Sequence, residues 1–328
     1  MLSTYTSHSA TRDYRSAALT TATHIQGQLP SNGLPKISFL DDIQEGLNTL
    51  FPRFDMAGND FYPIASDTGF ENTLQYCSQI EPLSCDANNA ERVGLIVGDS
   101  FLLSSLPVFK KHADSIIVAD YNPRMLDMIH FKLEMIRISP TREDFLKRLL
   151  CEDNPFLESL PKPYRGNLDN QSYQKLRTQA FQAGLAKKLP NLSFLLTGEH
   201  YEKARHNARN TPVRFVCIDL FNPEESDKLG KFISERLGHI TLLNATNLFD
   251  YRVDREIRYT PKHQLIDNSI RRTDNFISNL PLHKNPLVLY SLFVKYGRSN
   301  AAQPGCGSFV ARSTQEYFQA NRTAAEKW

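Results

Sequence analysis

Four polar residues stand where short apolar runs stop. Val93–Val97 gives way to Gly98-Asp99, Ile116–Ala119 to Asp120, Val213–Ile218 to Asp219, and His239–Leu243 to Asn244. Carboxylates in such places accept hydrogen bonds from ribose hydroxyls and from an exocyclic adenine amine, with no acid–base step required. Gly98 adds a position without a Cβ, where a ligand can approach the backbone. Any one of these residues alone reads as the first residue of a loop. Gathered on one edge of one sheet, they fit a nucleoside-containing ligand.

The elements that would gather them follow from the spacing of apolar residues. Val93, Leu95, Ile96 and Val97 form a run suited to a strand buried on both faces. Phe101–Lys111 carries helical spacing, limited by Pro107. Ile116–Ala119 is a second strand, and Asn122-Pro123 caps and opens a helix reaching Ile138, with Met125, Leu126, Ile129, Leu133 and Ile136 on one face. This βαβα unit predicts parallel strands, whose carboxyl ends are where ligands sit. The rhythm resumes with strands at Val213–Ile218, His239–Leu243 and Leu287–Val294, with helices at Glu224–Leu237 and Pro261–Leu280 between them. Ser308–Arg312 reads as a final antiparallel strand. The expected fold is α/β: a doubly wound, mostly parallel sheet.

Around that core the sequence predicts three further regions. Residues 1–36, rich in Ser, Thr and Ala, read as a flexible tail, with a transit peptide as the other reading of their composition. Residues 37–90 read as a helical N-terminal cap: Phe39, Ile43, Leu47 and Leu50 recur at helical spacing with Ser38 as cap, and Asp67–Tyr76 forms a second helix. Residues 91–328 form the α/β domain, interrupted at about 139–211 by a helical insertion. That insertion holds a short helix around Phe145–Leu150 and a longer one over Tyr173–Leu189. Its basic residues alternate with acids, which describes a solvated helical face rather than a nucleic-acid surface. The insertion is the part expected to carry substrate preference.

Composition sets outer bounds. The chain has 328 residues, 41% hydrophobic and 23% charged, with a formal net charge of +2, so no general polyanion partner is implied. Five scattered cysteines (Cys77, Cys85, Cys151, Cys217, Cys306) form no CxxC pair, which points to reduced thiols and a cytoplasmic location. No apolar run is long enough to span a bilayer, and no secretory signal pattern opens the chain.

The stretch Asp120-Tyr121-Asn122-Pro123-Arg124-Met125-Leu126 resembles the D-x-[SN]-P-x-M-L pattern of class I S-adenosylmethionine-dependent methyltransferases. The resemblance covers about Glu91 to Arg312, and its motifs are specific in combination rather than singly. It implies a Rossmann-like methyltransferase fold with S-adenosylmethionine as cofactor and a small molecule or protein as methyl acceptor. It further implies that Asp120 and Tyr121 hold the ribose and that Asp219 and Leu220 flank the adenine. Gly98, Asp99 and Ser100 would lie near the methionine end, and Asn244 would line the transfer point. One departure stands out. The family's glycine loop usually reads G-x-G-x-G, whereas Gly98-Asp99-Ser100-Phe101-Leu102 keeps only the first glycine and puts Leu102 where backbone usually approaches the cofactor. A domain that keeps the fold as a binding or scaffold protein is therefore the alternative.

Two other readings begin at the same loop. Gly98-Asp99-Ser100-Phe101 resembles the nucleophile block of GDSL-type esterases, which would make Ser100 the attacking hydroxyl. That family's Asp-x-x-His lies near the C-terminus, whereas Asp127–His130 falls inside the helix after the second strand. A nicotinamide dehydrogenase needs G-x-G-x-x-G, of which only Gly98 is present. His200 and His206 lack metal-ligand spacing and read as surface residues. His130, among apolar neighbours, reads as packed. Phe249 and Tyr251 after the fourth strand are candidates for a pocket wall, and Tyr62 for a lid.

Overall fold

The computed structural model describes residues 41–53, 70–83, 90–99, 102–149, 190–246, 271–294 and 305–326. The tail, Tyr62, Ser100, the helix expected over Tyr173–Leu189 and the wall candidates Phe249 and Tyr251 lie outside the described residues.

Six strands build one sheet: β1 (Glu91–Val97), β2 (Ser115–Asp120), β3 (Val213–Cys217), β4 (Gly238–Ala245), β5 (Leu282–Val294) and β6 (Gly305–Ala311). Their order is β3-β2-β1-β4-β5-β6. Every neighbouring pair is parallel except β5 with β6, which is antiparallel. The chain starts at β1, moves outward through β2 to β3, and returns to the other side of β1 with β4. The strand order thus reverses between β1 and β4.

Alternation along each strand divides the core into two layers. Ile96, Val118, Phe215, Leu242 and Leu289 face one side, and Leu95, Ile117, Val216, Leu243 and Val288 the other. The first layer is covered by α3 (Leu102–His112), α4 (Pro123–Ile138), α5 (Arg142–Leu149) and α6 (Gly198–Asn210), with Cys77 from α2 (Phe70–Gln79). The second is covered by α1 (Asp42–Leu50), α7 (Pro223–Arg236), the helical residues 271–278 (α8) and α9 (Thr314–Glu326). This is a mostly parallel sheet flanked by helices on both faces, a Rossmann-like arrangement. Residue choice at the helix ends matches the chemistry of caps. Asn122 precedes Pro123, Asn222 accepts from the Glu224 amide with Pro223 following, and Thr197 accepts from the His200 amide.

Three expectations are refined. The first helix is capped by Asp41, whose carboxylate accepts from the Gln44 amide, rather than by Ser38. The stretch around His200 and His206 is the helix α6, whose buried face is Tyr201 with the small Ala204 and Ala208, a pattern too weakly apolar to stand out in the sequence. β4 runs from Gly238 to Ala245, so Asn244 lies within the strand instead of after it. Against β1 the strand carries one extra residue, Thr241, whose hydroxyl donates to the His112 carbonyl at 2.7 Å.

The β3 edge is closed by side chains. The Gln44 amide donates to the Phe215 carbonyl and accepts from the Phe215 N–H, each at 2.8 Å, as a neighbouring strand would. Beside it Arg214 holds Asp41 through Nε and Nη2 at 2.9 and 2.7 Å. At the other end of this segment, Arg53 pairs with Asp127 on α4. The residues from Asp41 to Arg53 therefore fasten one edge of the sheet to helices on both of its faces.

Candidate functional site

In an open α/β sheet the ligand crevice lies outside the carboxyl ends of the strands, where the strand order reverses. Here that point is between β1, ending at Val97, and β4, ending at Ala245. Gly98 follows β1 with φ of 69°, in the left-handed region that favours glycine. Its N–H donates to the Ala119 carbonyl at 2.9 Å, which turns the chain against the end of β2. A Cβ at Gly98 would lie 3.5 Å from Asp120 Oδ2, so the bare Cα keeps the space beside that carboxylate open.

Asp120, the last residue of β2, is buried. Its Oδ1 accepts from the Asn122 amide at 2.7 Å, and the Tyr121 amide supports it as well. No cation pairs with it among the described residues. Burial outweighs the two amides and pushes its pKa up to about 7. A carboxylate in that state is ready to accept hydrogen bonds from a ligand's hydroxyls, which would replace the solvation it has lost.

Asp99 lies next to Gly98 and takes Lys132 Nζ at 2.9 Å on its Oδ2. Both side chains are largely buried, at 10% and 13% exposure, so α4 is tied to the loop after β1 by a shielded ion pair. Lys132 was not singled out from the sequence, yet a signal exists: it occupies the same helical stripe as Met125, Ile129 and Ile136. A lysine in an apolar stripe marks a buried partner. Leu102, where the glycine loop departs from the family, is fully buried among Leu103, Leu106 and Phe109 in the first layer. It is therefore a core residue of α3.

At the end of β3 the Cys217 thiol lies 3.6 Å from the Tyr121 carbonyl. Asp219 follows in a tight turn: its Oδ1 accepts from the Phe221 amide at 3.0 Å, and its own N–H donates to Glu225 Oε2 at 2.9 Å. The Leu220 side chain is buried in the second layer with Ile218 and Leu229, so any ligand contact it makes is through its backbone. Asp120 ends β2 and Asp219 lies two residues beyond the adjacent β3, the two segments joined where the Ile218 N–H donates to the Asp120 carbonyl at 3.0 Å.

Asn244 pairs in register with Ile96 on β1 and Leu289 on β5, on the sheet face shared with Asp120. It is fully buried. Its Oδ1 accepts from the Thr246 N–H at 3.2 Å and the Thr246 hydroxyl at 2.7 Å. Its Nδ2 has no hydrogen-bond partner among the described residues.

His130 and Asp127, the pair weighed for an esterase, have other surroundings. His130 packs on Phe215 with ring centroids 5.1 Å apart, and burial lowers its pKa to about 4. Asp127 pairs with Arg53. Among the described residues no cluster of His, Cys, Asp and Glu has metal-binding geometry, and no helix is long and apolar enough to cross a membrane.

Strand order, antiparallel edge strand and helices on both faces define a Rossmann-like α/β fold. No family model matches the chain, and none of the curated proteins matches its sequence. Among solved structures it aligns with the rRNA methyltransferase aviRa from Streptomyces viridochromogenes. One such structure gives a TM-score of 0.36 and 8% identity, over 88% of this chain and 96% of that chain. Another gives 0.34 and 9%, over 82% of this chain and 87% of that one.

Proposed function

We propose that this chain binds S-adenosylmethionine at the carboxyl edge of β1, β2 and β4 and transfers its methyl group to an acceptor. The observation that carries the reading is Asp120: a buried carboxylate beside a positive-φ glycine, at the reversal of strand order, held among the described residues by backbone amides. Three features of the chain fit the group. Gly98 leaves the space that a Cβ would fill, Asp120 has acceptor capacity to spare, and Asn244 carries an orphaned buried donor. When bound, S-adenosylmethionine supplies an electrophilic methyl on a sulfonium.

The chain's own residues would act by holding and orienting. Asp120 accepts the ribose hydroxyls, with the Tyr121 backbone beside it. Asp219 and the Leu220 backbone would stand by the adenine, and Gly98 and Asp99 would border the amino-acid end. Asn244 lies toward the transfer point. Methyl transfer by in-line displacement depends on alignment, so a dedicated base is not required. Calorimetric titration with S-adenosylhomocysteine tests the reading: saturable binding that is lost in Asp120→Ala supports it, and absence of binding at millimolar ligand refutes it.

A further inference from the structure

The orientation of the Asn244 amide is fixed by chemistry. A backbone N–H can only donate, so the amide atom 3.2 Å from the Thr246 N–H must be the oxygen. The Thr246 hydroxyl donates to the same atom at 2.7 Å. Both lone pairs of Oδ1 are then occupied. The NH2 group, on the side of the amide away from that oxygen, is fully buried and unpartnered among the described residues, on the sheet face that carries Ile96, Leu242 and Leu289. A buried donor left unmade costs about 1–3 kcal/mol, and a strand end at a ligand crevice is where a bound group would restore it.

We infer that Asn244 serves the site as a hydrogen-bond donor and not as an acceptor, and that the methyl acceptor it positions is an oxygen, of the carboxylate or phenolate class, rather than an amine. The inference rests on the proposed S-adenosylmethionine site. An amine acceptor would need an oxygen to receive its N–H, and Oδ1 is already doubly engaged. An anionic oxygen takes the Nδ2 hydrogen bond directly. Its transfer also balances without a base: the oxygen lone pair forms the new O–C bond, the C–S pair leaves with sulfur as a neutral thioether, and no proton moves. Asn244 is thus a positioning and selectivity residue, locked by Thr246.

The polarity can be read with two probes, S-adenosylhomocysteine and sinefungin, which carries an ammonium group where the transferable methyl would be. Facing a donor, sinefungin should bind the wild type at least about tenfold more weakly than S-adenosylhomocysteine, a difference of about 1.4 kcal/mol. Asn244→Asp keeps an oxygen on both Thr246 donors and replaces the NH2 with a second oxygen, so the preference should reverse. Asn244→Leu is near in volume and brings no buried charge, and it should bring the two affinities together. Sinefungin binding the wild type as tightly as S-adenosylhomocysteine, or a ratio unchanged in Asn244→Leu, would overturn the inference while leaving the cofactor site standing. Failure of both probes to bind the wild type would overturn the cofactor site and this inference with it.

Discussion

Gly98 follows β1 and Asp120 ends β2, yet a single methyl group on Gly98 would touch the Asp120 carboxylate, at 3.5 Å from Oδ2. That distance is ordinary van der Waals contact, so the cost of adding it lies in the backbone. At φ of 69° an alanine is strained by about 1–2 kcal/mol, while asparagine tolerates the same conformation better. Gly98→Ala should lower the denaturation free energy by about that amount, and Gly98→Asn by less. Both should weaken S-adenosylhomocysteine binding, because each fills the space beside Asp120. Equal stability of Gly98→Ala and wild type in urea would contradict the strained turn.

Asp120 makes ligand binding depend on pH in a defined direction. Ribose hydroxyls donate to the ionised carboxylate, and the free protein holds the proton up to about pH 7. Binding below that pH must expel the proton, so affinity should fall close to tenfold per unit of acidification and level off above about pH 7. Asp120→Asn should bind more weakly and without this slope. Titrations across the neutral range check it, and a flat profile in the wild type would mean that the carboxylate does not face the ligand.

The Lys132–Asp99 pair predicts strong non-additivity. Removing either partner strands a largely buried charge, so Lys132→Met and Asp99→Asn should each destabilise by about 2–4 kcal/mol. The double variant should recover a good part of the loss, with a coupling of about 1–3 kcal/mol in a double-mutant cycle. Additive losses would mean that the two side chains contribute independently. If the pair also borders the ligand, both single variants should weaken S-adenosylhomocysteine binding beyond their effect on stability.

The strand ends were legible because their chemistry is local. A run such as Ile116–Ala119 must be buried, and Asp120-Tyr121-Asn122-Pro123 must stop it and open a helix, whatever lies elsewhere. Contacts between distant elements left fainter marks. Nothing around Gln44 announces that its amide closes the edge at Phe215, since one glutamine on the rim of a helix looks solvated until the sheet is beside it. Lys132 was hidden for the opposite reason: Met125, Ile129 and Ile136 account for an apolar face by themselves, and the lysine within it drew no reading until Asp99 stood beside it. Asn244 was found as a strand-end polar residue, but its donor polarity comes from Thr246, and no spacing rule carries that.

Asp120 and His130 should oppose one another in the stability of the free protein. The Asp120 pKa is raised from 3.8 to about 7, so the folded state binds a proton that the unfolded state has released. Its contribution is full below the unfolded value and is lost as pH rises through about 7. The His130 pKa is lowered from 6.5 to about 4, so here the unfolded state binds the proton that the folded state refuses. Its contribution is full above the unfolded value and is lost as pH falls through that window. Between about pH 4 and 6.5 the two slopes have opposite sign and comparable size, and much of each is concealed in the wild type. Asp120→Asn should expose the histidine, with stability relative to wild type climbing as pH rises to neutrality, to a gain on the order of a few kcal/mol. His130→Phe, which keeps an aromatic ring against Phe215, should expose the carboxylate and gain on wild type toward acid. Urea denaturation of the three proteins at matched pH reads both slopes. Parallel curves would mean that neither group changes its protonation on folding, and Asp120 would then be a solvated surface acid rather than a buried acceptor waiting for a ligand.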